Sequence, residues 1–242
     1  MKFKVIACNV LGRELSYLKK RSENTLDISW FHMEMHEDAR KLRKAIQQEI
    51  DRTEDSGTEY DAILLGYGLC ASATAGLTTR SLPLVIPRAH DCITLCLGSK
   101  PRYEQLFEEI PGCLWYTANW INCTDMPTPE TEARMIREFE EDDYDEEDIE
   151  YLMEQLGPRK KYRNAAYIEM PFFDQSRYHE IAKAAADFYG WGYHEIPGDL
   201  GLLERMLAGE WDAKEFLVLQ PGETMEQSPD EEELMRVAEP DD

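Results

Sequence analysis

Short apolar runs bounded by turn residues constrain this chain most. Lys4 to Ala7, Asp61-Ala62-Ile63-Leu64-Leu65-Gly66 and Leu82-Pro83-Leu84-Val85-Ile86-Pro87 are each a few residues long and scarcely alternate between polar and apolar. A strand with one face in water alternates, whereas a strand covered on both faces does not. Leu26 to Met35, rich in β-branched and aromatic residues, reads as a further strand. Between these runs the spacing becomes helical. Leu11, Leu15 and Leu18 share one face of Val10 to Lys20, and a helix is predicted from His36-Glu37-Asp38 to about Ile50. Another is predicted from Asp91 to Leu97. The alternation predicts an α/β fold: a mostly parallel sheet with helices on both faces, Rossmann-like.

The pattern resumes late in the chain, with strands at Ala165 to Met170, Tyr193 to Ile196 and Phe216 to Leu219, and helices at Tyr178 to Phe188 and Leu200 to Leu207. Between the halves lies the acidic run Glu140 to Asp148, followed by Ile149, Leu152, Met153 and Leu156 at helical spacing. This stretch reads as a peripheral, solvated helical insert; as a cation site it lacks the glycine turn of a calcium loop. The expected organisation is an N-terminal α/β half over 1–123, an acidic helical insert over 124–161, a C-terminal α/β half over 162–225, and a partly disordered acidic tail over 226–242.

The 26 Lys and Arg against 49 Asp and Glu leave a formal charge of −23. Such a chain repels phosphate backbones and anionic lipid headgroups, which argues against nucleic-acid and membrane partners. No stretch approaches the roughly 18 apolar residues of a membrane span. Met1 to Cys8 reads as a first strand and not as an export signal, so a cytoplasmic protein whose six cysteines stay reduced is expected.

Several polar residues fall just beyond strands. Cys8 follows the first, His36 the second and Cys70 the third, and Arg88, His90, Asp91 and Cys92 follow the fourth. In a parallel sheet these positions share the carboxyl edge, where ligand sites of such sheets lie. Thiolate and imidazole together suit zinc, cobalt or iron, which makes Cys8, His36, Cys70, His90 and Cys92 the candidate metal ligands. Asp91 is placed to orient an imidazole, and Arg88 to bind an anion or lower a thiol pKa. Gly66 and Gly68 allow close backbone approach to a ligand or metal, but the third glycine of a dinucleotide fingerprint is missing. The competing reading is that cysteines at strand ends are small core residues. Core packing is also the reading adopted for Cys96, Cys113 and Cys123.

Ile6-Ala7-Cys8, the stretch from Tyr60 to Cys70, and Pro83 to Ile93 with its Arg88-Ala89-His90-Asp91-Cys92 resemble an uncharacterised prokaryotic family, domain of unknown function 1638. Phe216 to Gly222 fits it as well. The resemblance implies a protein of anaerobes and methanogenic archaea, often encoded beside corrinoid-dependent methyltransferases, and so a setting in one-carbon metabolism. No catalytic residue comes with it. The expected function is a metal site, zinc first, with a possible methyltransferase role; an iron–sulfur cluster or the cobalt of a corrinoid are the alternative cofactors. The expected partners are a corrinoid protein or methyltransferase and a small-molecule substrate. A metal-free enzyme using two thiols as acid and base, and a carrier without catalysis, are the remaining readings.

Overall fold

The computed structural model describes residues 1–239, and the chain folds as two compact units. The first comprises Met1–Tyr103 and the chain from Asp199 onward; the second is Glu104–Gly198. The division therefore falls neither at 123 nor at 161, because the chain returns to the first unit for its last strands. A chain that supplies strands to one sheet from both its ends cannot be cut by composition along its length.

The first unit begins β1 (Lys2–Cys8), α1 (Gly12–Lys19), β2 (Thr25–Phe31), α2 (Ala39–Asp55), β3 (Ala62–Gly66), β4 (Leu84–Pro87) and α3 (Cys92–Leu97). Helix α4 (Lys100–Glu109) spans the passage to the second unit, which holds β5 (Cys113–Tyr116), α5 (Ala118–Cys123), α6 (Pro129–Glu141), α7 (Glu146–Leu156), α8 (Pro158–Lys161), β6 (Asn164–Glu169), α9 (Ser176–Tyr189) and β7 (Gly192–Pro197). The first unit then resumes with α10 (Gly201–Ala208), β8 (Phe216–Leu219), β9 (Met225–Gln227) and β10 (Met235–Val237).

The sheet of the first unit has the order β2-β1-β3-β4-β8. Its first four strands are parallel, with Val5 opposite both Ile28 and Leu64, and Ile63 opposite Leu84. Strand β8 closes the edge antiparallel, with Ile86 opposite Leu217. Every residue of β3 and β4 is buried. Since successive side chains point to opposite faces, both faces of those strands are covered, as their unbroken apolar runs require. Strand β2 is the other edge and is only partly buried. Strand order reverses between β1 and β3, so the ends of these two strands flank the crevice where parallel sheets bind ligands. This order is not the 3-2-1-4-5-6 of dinucleotide-binding Rossmann sheets.

Two local expectations shift. The second strand ends at Phe31 and a short 3-10 turn follows over Met33–Glu37, so His36 lies in that turn and not at a helix start. Helix α2 begins at Ala39 because Asp38 caps it, accepting from the Arg40 and Lys41 amides at 2.9 and 3.2 Å. The tail is also more ordered than its composition suggests. Strands β9 and β10 pair antiparallel and bury Met225, Leu234 and Met235, while residues 240–242 lie outside the described residues.

The second unit has the parallel sheet β5-β6-β7, with Tyr167 opposite Tyr116 and Glu195. The alanine face of α9 packs on it through Ala182, Ala185 and Ala186, within a core of Tyr116, Tyr167, Tyr189 and Trp191. Helices α6, α7 and α8 lie within the stretch from 124 to 161.

Candidate functional site

The site begins with two glycines that let chain segments touch. A Cβ on Gly66 would lie 2.6 Å from the Ala7 Cβ, so β3 can approach β1 only without a side chain there. A Cβ on Gly68 would fall against the Ala89 carbonyl and 2.9 Å from the Asp91 amide. Gly68 thus lets the loop after β3 lie along the loop after β4, where the Leu69 amide donates to Ala89 at 2.8 Å and the Cys70 amide to His90 at 3.0 Å. The close approaches at these glycines are to the protein itself, to the Ala7 methyl at Gly66 and to the backbone of Ala89 and Asp91 at Gly68.

Beyond that contact the chain makes a left-handed turn. Cys70, Ala71 and Ser72 have φ of 47, 55 and 65°. A non-glycine residue there carries strain on the order of 1–3 kcal/mol, which persists only when the surroundings over-determine it. Several contacts do so. Arg43 Nη2 donates to the Ser72 carbonyl at 2.8 Å, the Ser72 hydroxyl to Gln227 Oε1 at 2.5 Å, and the Thr74 hydroxyl to the Gly68 carbonyl at 3.1 Å. Gln227 belongs to β9, so the C-terminal hairpin helps to hold Cys70 in place.

Cys8 ends β1, Cys70 follows β3, and Cys92 opens α3 after β4. They lie within electrostatic reach of one another: Cys8 acts on Cys70, and both act on Cys92. Burial pushes the Cys70 thiol up to about 12 and the Cys92 thiol well above its ordinary value, with the nearby Asp91 adding to both. As folded, both are neutral thiols near pH 7. All three cysteines act on Tyr67, whose phenol is raised by burial first and by them second. Tyr67 is only 1% exposed, and its hydroxyl has no hydrogen-bond partner among the described residues. Sequence reasoning passed over this residue. Its signal was its place between the two glycines after a central strand.

His36 stacks on Tyr67 with ring centres 5.7 Å apart, and its Nδ1 lies 2.9 Å from the Met33 carbonyl. A carbonyl only accepts, so Nδ1 donates and Nε2 of the neutral ring carries the lone pair. Burial lowers the His36 pKa, which favours that neutral form. His90 stacks instead on Tyr103 at 5.5 Å. Asp91 caps α3, accepting from the Ile93 and Thr94 amides at 2.9 and 3.4 Å, and it is also bonded to Tyr103. Through these bonds it orders the loop that carries Cys92.

Arg88 corrects its expected role. Its Nε donates to the Ala213 carbonyl at 2.8 Å and its Nη1 to the carbonyls of Glu233, at 2.8 Å, and Met235. The guanidinium ties down the C-terminal segment. Cys96 is buried in α3, in keeping with a packing role, while Cys113 and Cys123 belong to the second unit.

The thiols, imidazole and unpartnered phenol together suit a thiophilic cation. Among the described residues, however, no three His, Cys, Asp or Glu side chains converge closely enough to hold one as folded. The family model for a protein of unknown function, DUF1638, matches residues 30–207. The chain belongs to that family. The match takes in His36, Cys70, His90 and Cys92, and leaves Cys8 and Phe216 to Gly222 outside it. No curated protein and no solved structure matches. No helix among the described residues is long and apolar enough to cross a membrane.

Proposed function

We propose that the carboxyl edge of the first unit's sheet binds a thiophilic transition metal, zinc first, through Cys8, Cys70 and Cys92, with His36 or His90 as a fourth donor. The observation that supports this reading is that three thiols, at or just beyond the ends of three parallel strands, all act electrostatically on Tyr67, whose buried hydroxyl has no hydrogen-bond partner among the described residues. Loading requires the donors to move closer, since they do not converge as folded. When bound, the metal supplies the positive charge that keeps buried thiols as thiolates, and it acts as a Lewis acid. The chain's own residues do the rest. Burial keeps water away, the Met33 carbonyl holds the His36 tautomer with Nε2 available, and the strained turn fixes the backbone of Cys70. The substrate class favoured is an electrophilic methyl group presented by a corrinoid protein or methyltransferase, because metal-held thiolates are soft nucleophiles.

Protein purified without oxygen and analysed for metals tests the reading, together with cobalt titration followed by thiolate-to-cobalt absorption. Cys70→Ser lowers metal content while the circular dichroism spectrum is kept, since a hydroxyl is a poorer ligand for a soft metal. Cys96→Ser leaves metal content unchanged. His36→Ala lowers it if that imidazole is the fourth donor, and retention points to His90. A brown, iron-containing protein makes the site an iron–sulfur centre. A wild-type protein that takes up neither zinc nor cobalt overturns the metal reading and leaves the two-thiol acid–base reading.

A further inference from the structure

The second unit carries a feature unrelated to the thiols. Helices α6 and α7 line a groove of about 850 Å³. Its apolar lining is Ile136, Ile149, Met153 and Tyr144. Its charged lining is five glutamates, Glu132, Glu140, Glu146, Glu150 and Glu154, against the two cations Arg159 and Lys160. Both cations are already engaged, Arg159 with Glu132 at 3.6 Å and Lys160 with Glu154 at 3.2 Å. Glu140, Glu146 and Glu150 are exposed and have no ion-pair partner among the described residues.

We infer that this groove is a docking site for a cationic amphipathic helix of a partner protein. Charge complementarity selects the occupant. Three uncompensated carboxylates repel one another, and a chain of formal charge −23 offers no relief from a second copy of itself. A divalent cation fits poorly, because the carboxylates flank apolar side chains and no three of the described acidic groups converge on one point. Glu132, Ile136 and Glu140 succeed one another four residues apart on α6, and Glu146, Glu150 and Glu154 do so on α7. This is the period at which a facing helix presents lysines beside an apolar stripe. The volume accommodates a few aliphatic anchors, as in grooves that receive helices by their apolar face.

A fluorescein-labelled synthetic peptide of about 18 residues, with leucines on one helical face and lysines on the other, probes the groove by anisotropy with the full chain. Saturable binding is expected, weakening as salt rises. Glu140→Lys, Glu146→Lys and Glu150→Lys together weaken it by roughly tenfold or more, whereas the same number of reversals elsewhere on the surface, at Glu59, Glu108 and Glu180, weakens it less than about threefold. Met153→Asp adds a negative charge that by itself would tighten binding of a cationic peptide, so the weakening expected of it isolates the apolar contribution. Circular dichroism establishes that each variant is folded. Equal losses in the two charge-reversal variants, or equal binding of a peptide of the same composition with its leucines scattered, overturn the proposal. So does calcium binding by calorimetry without any peptide binding.

Discussion

Tyr67→Phe is the sharpest probe of the thiol site, because its effect has a sign that ordinary packing does not predict. The substitution keeps the ring, its 1% exposure and its stacking on His36, and it removes a hydroxyl with no partner among the described residues. A buried hydroxyl that bonds within the protein contributes on the order of 1 kcal/mol, whereas one left without a partner costs about 1–3 kcal/mol. Removal in the metal-free protein is therefore expected to stabilise the fold by about 1–2 kcal/mol. In a chain of this size that raises the melting midpoint by roughly 2–8 °C. Thermal melts followed by circular dichroism, with chelator present, measure the shift. The same comparison with zinc shows a smaller gain, because binding stabilises the native state by mass action and the wild-type hydroxyl belongs to the site. A midpoint lowered by more than about 2 °C in the chelated variant refutes the reasoning, since it means that the hydroxyl is paired within the fold.

Gly68→Ala sets a Cβ against the backbone of Ala89 and Asp91, which no rotamer change relieves, so a loss of about 1–3 kcal/mol in urea unfolding is expected, together with weaker metal uptake. Stability within about 0.5 kcal/mol of wild type would show that the two loops separate easily. The half-buried Glu54 has a side chain only 2% exposed, which by itself raises its pKa, but donors from Ser81, Thr79 and Arg80 outweigh desolvation and hold it down to about 2. A carboxyl depressed on folding contributes stability above its unfolded pKa and loses it as pH falls through the folded value. Glu54→Gln should therefore be less stable than wild type near neutrality, with the gap closing between about pH 4.5 and about pH 2, and a gap constant over that range contradicts the assignment.

The periodicity of the sequence determined most of the first unit. Unbroken apolar runs at Ala62 to Gly66 and Leu84 to Pro87 fit short strands covered on both faces, which they are, and parallel strands place their ends at one edge. That reasoning put Cys8, Cys70 and Cys92 at or just beyond the ends of β1, β3 and β4, which pair parallel. Other features depended on contacts distant in the chain, to which local pattern is blind. Strand β8 returns to pair with β4, and the acidic tail orders because Met225 and Met235 find apolar neighbours. Arg88 meets carbonyls well over a hundred residues away, so its charge looked free for chemistry and is not. Tyr67 shows the same limit at the site itself. Its composition says aromatic core residue, and only tertiary packing buries its hydroxyl without a partner and within the electrostatic influence of three thiols, since burial depends on every segment that closes over a position and not on the residue that occupies it.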